Sequence, residues 1–258
     1  MCPEEIDLVG MVVNLRRQLP RVAALPAKQH AKMDTKTHAS PAHSTLLAGA
    51  ALRAHTDTLA RVTTLLEIAP TEDDGSDIAL ALETGATAPE ARLKEFLDPL
   101  RRLKTIVAAD GLLLRHLLDW LPHVKIVSLG AALTRLEALR RGLRATDLYV
   151  IEPRAYHANH ARLVRYYDHL RVETGCTMNL DLQRIAIPAT VRNLRQRLDL
   201  EAADDSAQKR WLLHRLKIQR IVAESVEDIA AFKQVCDLPV VHIAELAEDG
   251  KMKSGIVE

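Results

Sequence analysis

The fold is decided by residues 124–153, VKIVSLGAALTRLEALRRGLRATDLYVIEP. The apolar run at 124–129 predicts a strand that Gly130 ends, residues 132–143 carry the apolar spacing of a helix, and residues 147–151 predict a second strand. A strand, a helix and a second strand in this order make a βαβ unit, in which the two strands are parallel. This stretch therefore predicts a parallel sheet covered by helices.

The rest of the chain extends this pattern in the C-terminal direction. Further strands are predicted at 177–187, 218–223 and 239–243, separated by helices at 154–172, 189–199, 205–216 and 226–236. Such alternation favours an α/β fold. We expect a Rossmann-like, mostly parallel sheet of about five strands with helices on both faces. The sheet would belong to an α/β domain at 89–258. This domain would begin with further helices at 89–97, 99–109 and 112–121. A helical region with linkers, at 1–88, would precede it.

A heptad-like seam marks the N-terminal region. Ser40 and Pro41 form a helix start, and apolar spacings of three and four residues predict one helix from there to about residue 68. Its seam could pack within the chain's own bundle or form a coiled coil with a protein partner or a second copy. The predicted partner-binding residues are Leu52, His55, Leu59, Val62 and Leu66.

Glycine positions exclude the common phosphate-binding loops. The chain has 10 glycines, and no two of them are separated by a single residue, so a GxGxxG dinucleotide fingerprint is absent. The glycines five apart, Gly250 and Gly255, precede Ile256 and not lysine, so a Walker A loop is absent too. The sequence identifies no cofactor.

The end of the first predicted strand is the candidate cofactor-binding site. Ligands of open α/β sheets bind beyond the carboxyl ends of the strands, which here places Gly130 and Glu152 together. Glu152 follows Gly130 by 22 residues, a distance at which a carboxylate can hold ribose hydroxyls. Over about 30 residues this layout resembles a class I methyltransferase, although the usual glycine-rich turn is replaced by Gly130 alone. A ligand- or cofactor-binding α/β enzyme is therefore one interpretation.

Charge is distributed unevenly, although the whole chain carries only +1. Residues 1–97 hold 10 basic and 13 acidic residues (net −3), residues 98–220 hold 22 and 13 (net +9), and residues 221–258 hold 3 and 8 (net −5). Because arginine binds phosphates and carboxylates bidentately, the basic block suggests an anionic ligand or nucleic acid, or else a solvated face. The candidate anion-binding residues are Arg154, Arg162, Arg165, Arg192 and Arg195.

The sequence gives only weak signals for a metal site or for a catalytic nucleophile. His157 and His160 share a helix face but lack a third ligand at a diagnostic spacing, so no metal site is predicted. Catalytic residues stay unknown, because Ser128, Cys176 and Cys236 have no neighbouring base at such a spacing. Sparse cysteines and the lack of a signal-like or membrane-spanning apolar run predict a cytoplasmic protein without membrane contact.

Three functions follow from these patterns. The first is a non-catalytic protein-interaction or assembly subunit that uses the seam helix. The second is the ligand-binding α/β enzyme with a site near Gly130 and Glu152. The third is a nucleic-acid binder that uses the central arginines.

Overall fold

The computed structural model describes residues 43–178, 206–214 and 216–247 of the 258-residue chain. The predicted α/β class, with parallel strands and flanking helices, is confirmed. In chain order the elements are β1 (Ser44–Leu47), α1 (Gly49–Arg53), α2 (Thr56–Leu66), α3 (Ser76–Glu83), α4 (Glu90–Leu100), β2 (Thr105–Ala108), α5 (Gly111–Trp120), β3 (Lys125–Ser128), α6 (Leu129–Leu133), α7 (Glu137–Arg141), β4 (Asp147–Val150), α8 (Pro153–Ala158), α9 (His160–Thr174), β5 (Thr177–Met178), α10 (Ser206–Leu213), β6 (Arg220–Ala223), α11 (Val226–Lys233), β7 (Val240–His242) and a 3-10 helix (Ile243–Ala247).

The strands form two parallel sheets. The first has the order β1-β2-β3 and the second the order β5-β4-β6-β7. Every strand pair in the described residues is parallel. The sequence predicted about five strands, and seven are present among the described residues. The two additional strands, β1 and β2, lie in segments where apolar spacing predicted helices.

The long helix predicted from Ser40 to about residue 68 is wrong for the described residues. They form a strand, Ser44–Leu47, and two separate helices that meet at Ala54 and His55. The three-and-four spacing therefore runs across two helices, with Leu52 in α1 and Leu59, Val62 and Leu66 in α2, and does not mark one continuous helix. The helix predicted at 99–109 is also wrong, because its β-branched run forms the strand Thr105–Ala108.

The division of the chain at residue 88 stays a prediction. Within the described residues, β1 lies before that boundary and β2 after it, and the two strands pair in register from Ser44 with Thr105 to Leu47 with Ala108. The part of the predicted helical region before Ser40, the helix predicted at 189–199 and most of the strand predicted at 177–187 lie outside the described residues.

Alternate strand residues serve two different parts of the core, as the period of two requires. One buried cluster contains residues of both sheets together with side chains of α2, α6, α7 and α9. From the strands it takes Leu46, Val107, Val127, Tyr149, Met178 and Val222. The strand residues between them point to the opposite face of each sheet and are also buried. On that face α3, α4 and α5 cover the first sheet, and α11 covers the second.

The amino ends of β4 and β6 are joined by a buried ion pair. The Arg220 guanidinium donates to both Asp147 carboxylate oxygens, at 3.0 and 2.7 Å, and to the Gly142 carbonyl at 2.7 Å. The Arg144 amide also donates to Asp147, at 2.8 Å. Asp147 is fully buried and well partnered, so this end of the sheet has a structural role.

Across the described ranges, none of the helices combines the length and the apolar character that a membrane crossing requires.

Candidate functional site

The carboxyl ends of the strands meet around one small cavity. Its wall includes residues that follow β1, β2, β3 and β6 and the last residue of β7, and its volume is about 40 Å³, which is room for roughly three water molecules. Polar side chains come from several strand ends and from the first turn of α8. Those in the wall include Asp110, Arg154, Glu224, Ser225, Glu227 and His242.

Several of these polar residues start the helix that follows their strand. The Asp110 carboxylate accepts the Leu112 and Leu113 amides at the start of α5, at 2.9 and 3.0 Å. The Ser225 hydroxyl accepts the Glu227 amide at 3.2 Å and so starts α11. Because the positive helix ends already have partners within the chain, they offer little to an anionic ligand.

Arg154 is surrounded by carboxylates. It contacts Glu152 at 2.9 Å, Glu83 at 3.5 Å and Glu227 at 3.6 Å, and its side chain is 11% exposed. Although burial opposes its charge, the nearby carboxylates, including Asp110, raise the pKa of Arg154 well above its usual value. This guanidinium is therefore permanently charged and committed to the chain's own acids.

Glu224 is the most unusual group in the wall. Its side chain is buried, and its Oε1 accepts the hydroxyls of Tyr149 and Tyr167, each at 2.6 Å. Its Oε2 accepts the Glu152 amide at 2.9 Å. Burial raises the pKa of Glu224 to about 7, against these three hydrogen bonds, which lower it. Near neutral pH this carboxyl exists in both protonation states, as a proton-transfer group requires.

Gly130 makes room for the Glu224 carboxyl. A Cβ atom at position 130 would lie 1.9 Å from Glu224 Cδ and about as close to both carboxyl oxygens. Only glycine leaves the space that the carboxyl fills. Gly111 has a similar relation to Glu152, since a Cβ there would lie 2.1 Å from Glu152 Oε2 and 2.3 Å from the Ala155 amide nitrogen.

Two more buried groups adjoin the cavity. Asp228 is 4% exposed, and burial together with Glu152 raises its pKa well above the usual value, which favours the neutral acid. His242 is fully buried and accepts the Ala244 amide at Nδ1, at 3.2 Å. Its Nε2 must then carry the proton, which it donates to the Glu224 carbonyl at 3.0 Å. Burial lowers the pKa of His242 to about 4, so the ring is neutral.

The predicted cofactor-binding pair, Gly130 and Glu152, lies next to residues of the cavity wall but does not line the cavity, and Glu224 contacts both of its members. The Glu224 carboxyl rests on Gly130 and accepts the Glu152 amide. The Glu152 carboxylate itself accepts the Ala155 amide at 2.5 Å and the Arg154 Nε at 2.9 Å. Both positions therefore serve the chain's own contacts, and their role in cofactor binding stays a prediction.

The predicted partner-binding residues face the chain's own core to different extents. Leu52 and Val62 are buried in the cluster shared by the two sheets, and Leu59 and Leu66 pack against it. His55 is exposed and lies just before α2. Their part in binding another protein stays a prediction.

The predicted anion-binding arginines do not share one environment. Arg154 is buried among carboxylates, whereas Arg162 and Arg165 are exposed on α9. Arg192 and Arg195 lie outside the described residues. Anion binding by this set stays a prediction.

His157 and His160 stack on each other with ring centroids 6.5 Å apart, and Tyr156 meets both rings edge-on. Within the described ranges, no group of three or more His, Cys, Asp or Glu side chains is arranged to hold a metal ion.

Sequence reasoning missed Glu224, Asp110 and His242. The signal was present, because each ends or directly follows a short apolar run, as Glu152 does. Applying the strand-end rule to every predicted strand would have found Glu224 and His242. Asp110 was hidden because residues 99–109 were predicted as a helix.

No protein-family model matches this chain, and neither a curated protein nor a solved structure is similar to it at a significant level.

Proposed function

We propose that this α/β protein binds a small polar molecule at the carboxyl ends of its strands and exchanges a proton with it through Glu224. The observation that carries the proposal is Glu224, a residue of the cavity wall whose buried carboxyl has a pKa of about 7. Groups with such a pKa suit acid–base chemistry at neutral pH. The Glu224 carboxyl therefore favours the interpretation that the protein is an enzyme.

The charges around the cavity limit which chemical group can enter. Asp110, Glu224 and Glu227 supply acceptor oxygens, while the guanidinium of Arg154 is shared among its own carboxylates. A phosphate would meet these carboxylates without a cation to pair with. The cavity volume of about 40 Å³ suits a small polar group, such as a hydroxyl or an amine.

A thermal-shift screen tests this function. We expect a polyol or amine to raise the melting temperature of the wild-type protein and to raise that of Glu224→Gln much less. Glu95→Gln is the matched control, since Glu95 is exposed on α4. If no compound gives a shift that depends on Glu224, or if phosphates alone give one, the proposal is wrong.

The interaction role is a separate proposal and has its own test. Val62 is fully buried within the chain, so Val62→Ala should lower the free energy of unfolding by roughly 1–3 kcal/mol. If the seam residues pack only within their own chain, the midpoint of urea unfolding of this variant will not depend on protein concentration. A midpoint that rises with concentration in the wild type and loses this dependence in Val62→Ala would favour a second copy.

The nucleic-acid role is a further proposal, which the exposed Arg162 and Arg165 support. Binding of an oligonucleotide that weakens steeply with salt, and that Arg162→Gln with Arg165→Gln reduces, would favour it. A cytoplasmic location also belongs to these proposals, with support from the free thiols Cys176 and Cys236.

A further inference from the structure

The two oxygens of the Glu224 carboxyl have different surroundings. Oε1 accepts two hydroxyl protons, from Tyr149 of β4 and Tyr167 of α9, each at 2.6 Å. Oε2 accepts a single proton, from the Glu152 amide at 2.9 Å. A carboxylate offers about four lone-pair positions, two on each oxygen. Among the described residues, the remaining position therefore belongs to Oε2.

Neighbouring groups keep the hydroxyls and the carboxyl in this arrangement. The Ser128 hydroxyl hydrogen-bonds the Tyr167 hydroxyl and lowers the pKa of Tyr167, against the larger effect of burial, which raises it. Burial raises the pKa values of Tyr149 and Tyr167 well above 10, which keeps both as donors. Gly130 lies against the carboxyl, where even a methyl group would not fit.

We infer that Tyr149 and Tyr167 are positioning residues that saturate Oε1 and leave proton exchange to Oε2. This inference rests on the proposed function of the cavity. In the forward step, Oε2 accepts a proton from a donor group of the ligand, so Glu224 becomes neutral and the ligand loses one positive charge or gains one negative charge. The reverse step returns the proton, and the tyrosine protons stay on their own oxygens.

The test is a pH titration of Glu224 in the ligand-free full chain. The carbon-13 chemical shift of the carboxyl group in labelled glutamate monitors the titration. Tyr149→Phe and Tyr167→Phe each remove a donor to the charged carboxyl, so each should raise the titration midpoint, and the double variant should raise it further. Tyr166→Phe is the matched control, because the Tyr166 hydroxyl bonds Thr134 and not Glu224. Other titratable groups that face Glu224 are Glu152, Asp228 and Tyr166. Glu152 and Asp228 are unchanged in all variants, and Tyr166, whose pKa is raised mainly by burial, is a neutral phenol across the titration of Glu224.

The Glu152 amide reports on Oε2 itself. We expect its nitrogen-15 shift to titrate with the same midpoint as the Glu224 carboxyl in every variant. Midpoints that do not differ between the two tyrosine variants and Tyr166→Phe would overturn the inference, and so would a Glu152 amide that does not respond. Two separate single variants guard against one that fails to fold.

The two proposals fail in different ways. Because the titration contains no ligand, a raised midpoint supports the tyrosine roles even if no compound ever binds the cavity. If a ligand binds in a Glu224-dependent way while the midpoint is unmoved, the proposed function stands and the positioning roles fall.

Discussion

His242 and Glu224 are joined by a hydrogen bond, from the imidazole Nε2 to the Glu224 backbone carbonyl at 3.0 Å, and their titrations oppose each other. Burial raises the pKa of Glu224 from 4.5 to about 7 and lowers that of His242 from 6.5 to about 4. Between these limits, folding favours a proton on Glu224 and disfavours one on His242. The two contributions to the pH dependence of stability therefore nearly cancel from about pH 4.5 to 6.5.

Glu224→Gln should expose the contribution of the histidine. In the wild type the folded state holds more protons on Glu224 than the unfolded state does, so this group makes stability fall as pH rises from 4.5 to about 7, by about 3 kcal/mol. Without it, the rise in stability with pH that His242 contributes from about 4 to 6.5 should no longer be offset by Glu224, and the buried Asp228, whose pKa is raised, still opposes it. Urea unfolding across this range measures both slopes. Parallel curves for the wild type and the variant would contradict the buried titration of Glu224.

His242→Gln should give the opposite slope. The unfolded state takes up the histidine proton as pH falls below 6.5, which costs the wild type about 3 kcal/mol of stability by pH 4. With the histidine removed, stability should fall as pH rises from 4.5 to about 7 through Glu224, and the buried Asp228, whose pKa is also raised, acts in the same direction. His214→Gln serves as control, because His214 is exposed after α10. A slope unchanged from the wild type would count against a neutral buried imidazole.

Gly130→Ala should displace the Glu224 carboxyl. Since the new Cβ would lie 1.9 Å from Glu224 Cδ, the carboxyl must leave its tyrosine partners, and we expect a loss of several kcal/mol in stability. Gly49→Ala is a graded comparison, because its φ of +70° adds backbone strain while the nearest atom is 3.6 Å away. That variant should lose only about 1 kcal/mol. Equal losses would argue against the close approach at Gly130.

Arg220→Met should be strongly destabilising. It leaves the Asp147 carboxylate buried without its main partner, for which we expect a loss of about 3–5 kcal/mol. Arg141→Met is the matched control, because its pair with Glu137 is exposed and should contribute little. Denaturant unfolding compares the two variants. Similar values would mean that the buried pair stabilises the fold no more than a surface pair does.

Part of this fold could be predicted from the sequence because the local pattern of some segments is compatible with only one type of secondary structure. The strands at 125–128, 147–150 and 220–223 are apolar runs bounded by polar residues and glycine, and local pattern suffices for them. The segment Ser44–Leu47 is different, because four residues fit a helix or a strand equally well. Its pairing with β2, distant in sequence, decides the outcome.

The predicted cofactor-binding residues lie at the same edge of the sheets as the cavity, while their role stays a prediction. Gly130 and Glu152 follow from one βαβ unit, which local pattern reveals. Glu224 lies 72 residues after Glu152, and its approach to Gly130 depends on how the two sheets pack. The strand-end rule points to position 224, but no local pattern encodes the approach of Glu224 to Gly130 or the burial that raises its pKa, and these emerged from the three-dimensional arrangement.

The fit of Gly130 against Glu224 has an evolutionary consequence. A larger residue at position 130 requires a shorter side chain at position 224, so a natural change at one position should be accompanied by a change at the other. Related sequences with glycine at position 130 have room for a buried glutamate at position 224. A lineage that loses the glycine should lose the acid too, along with any chemistry that depends on it.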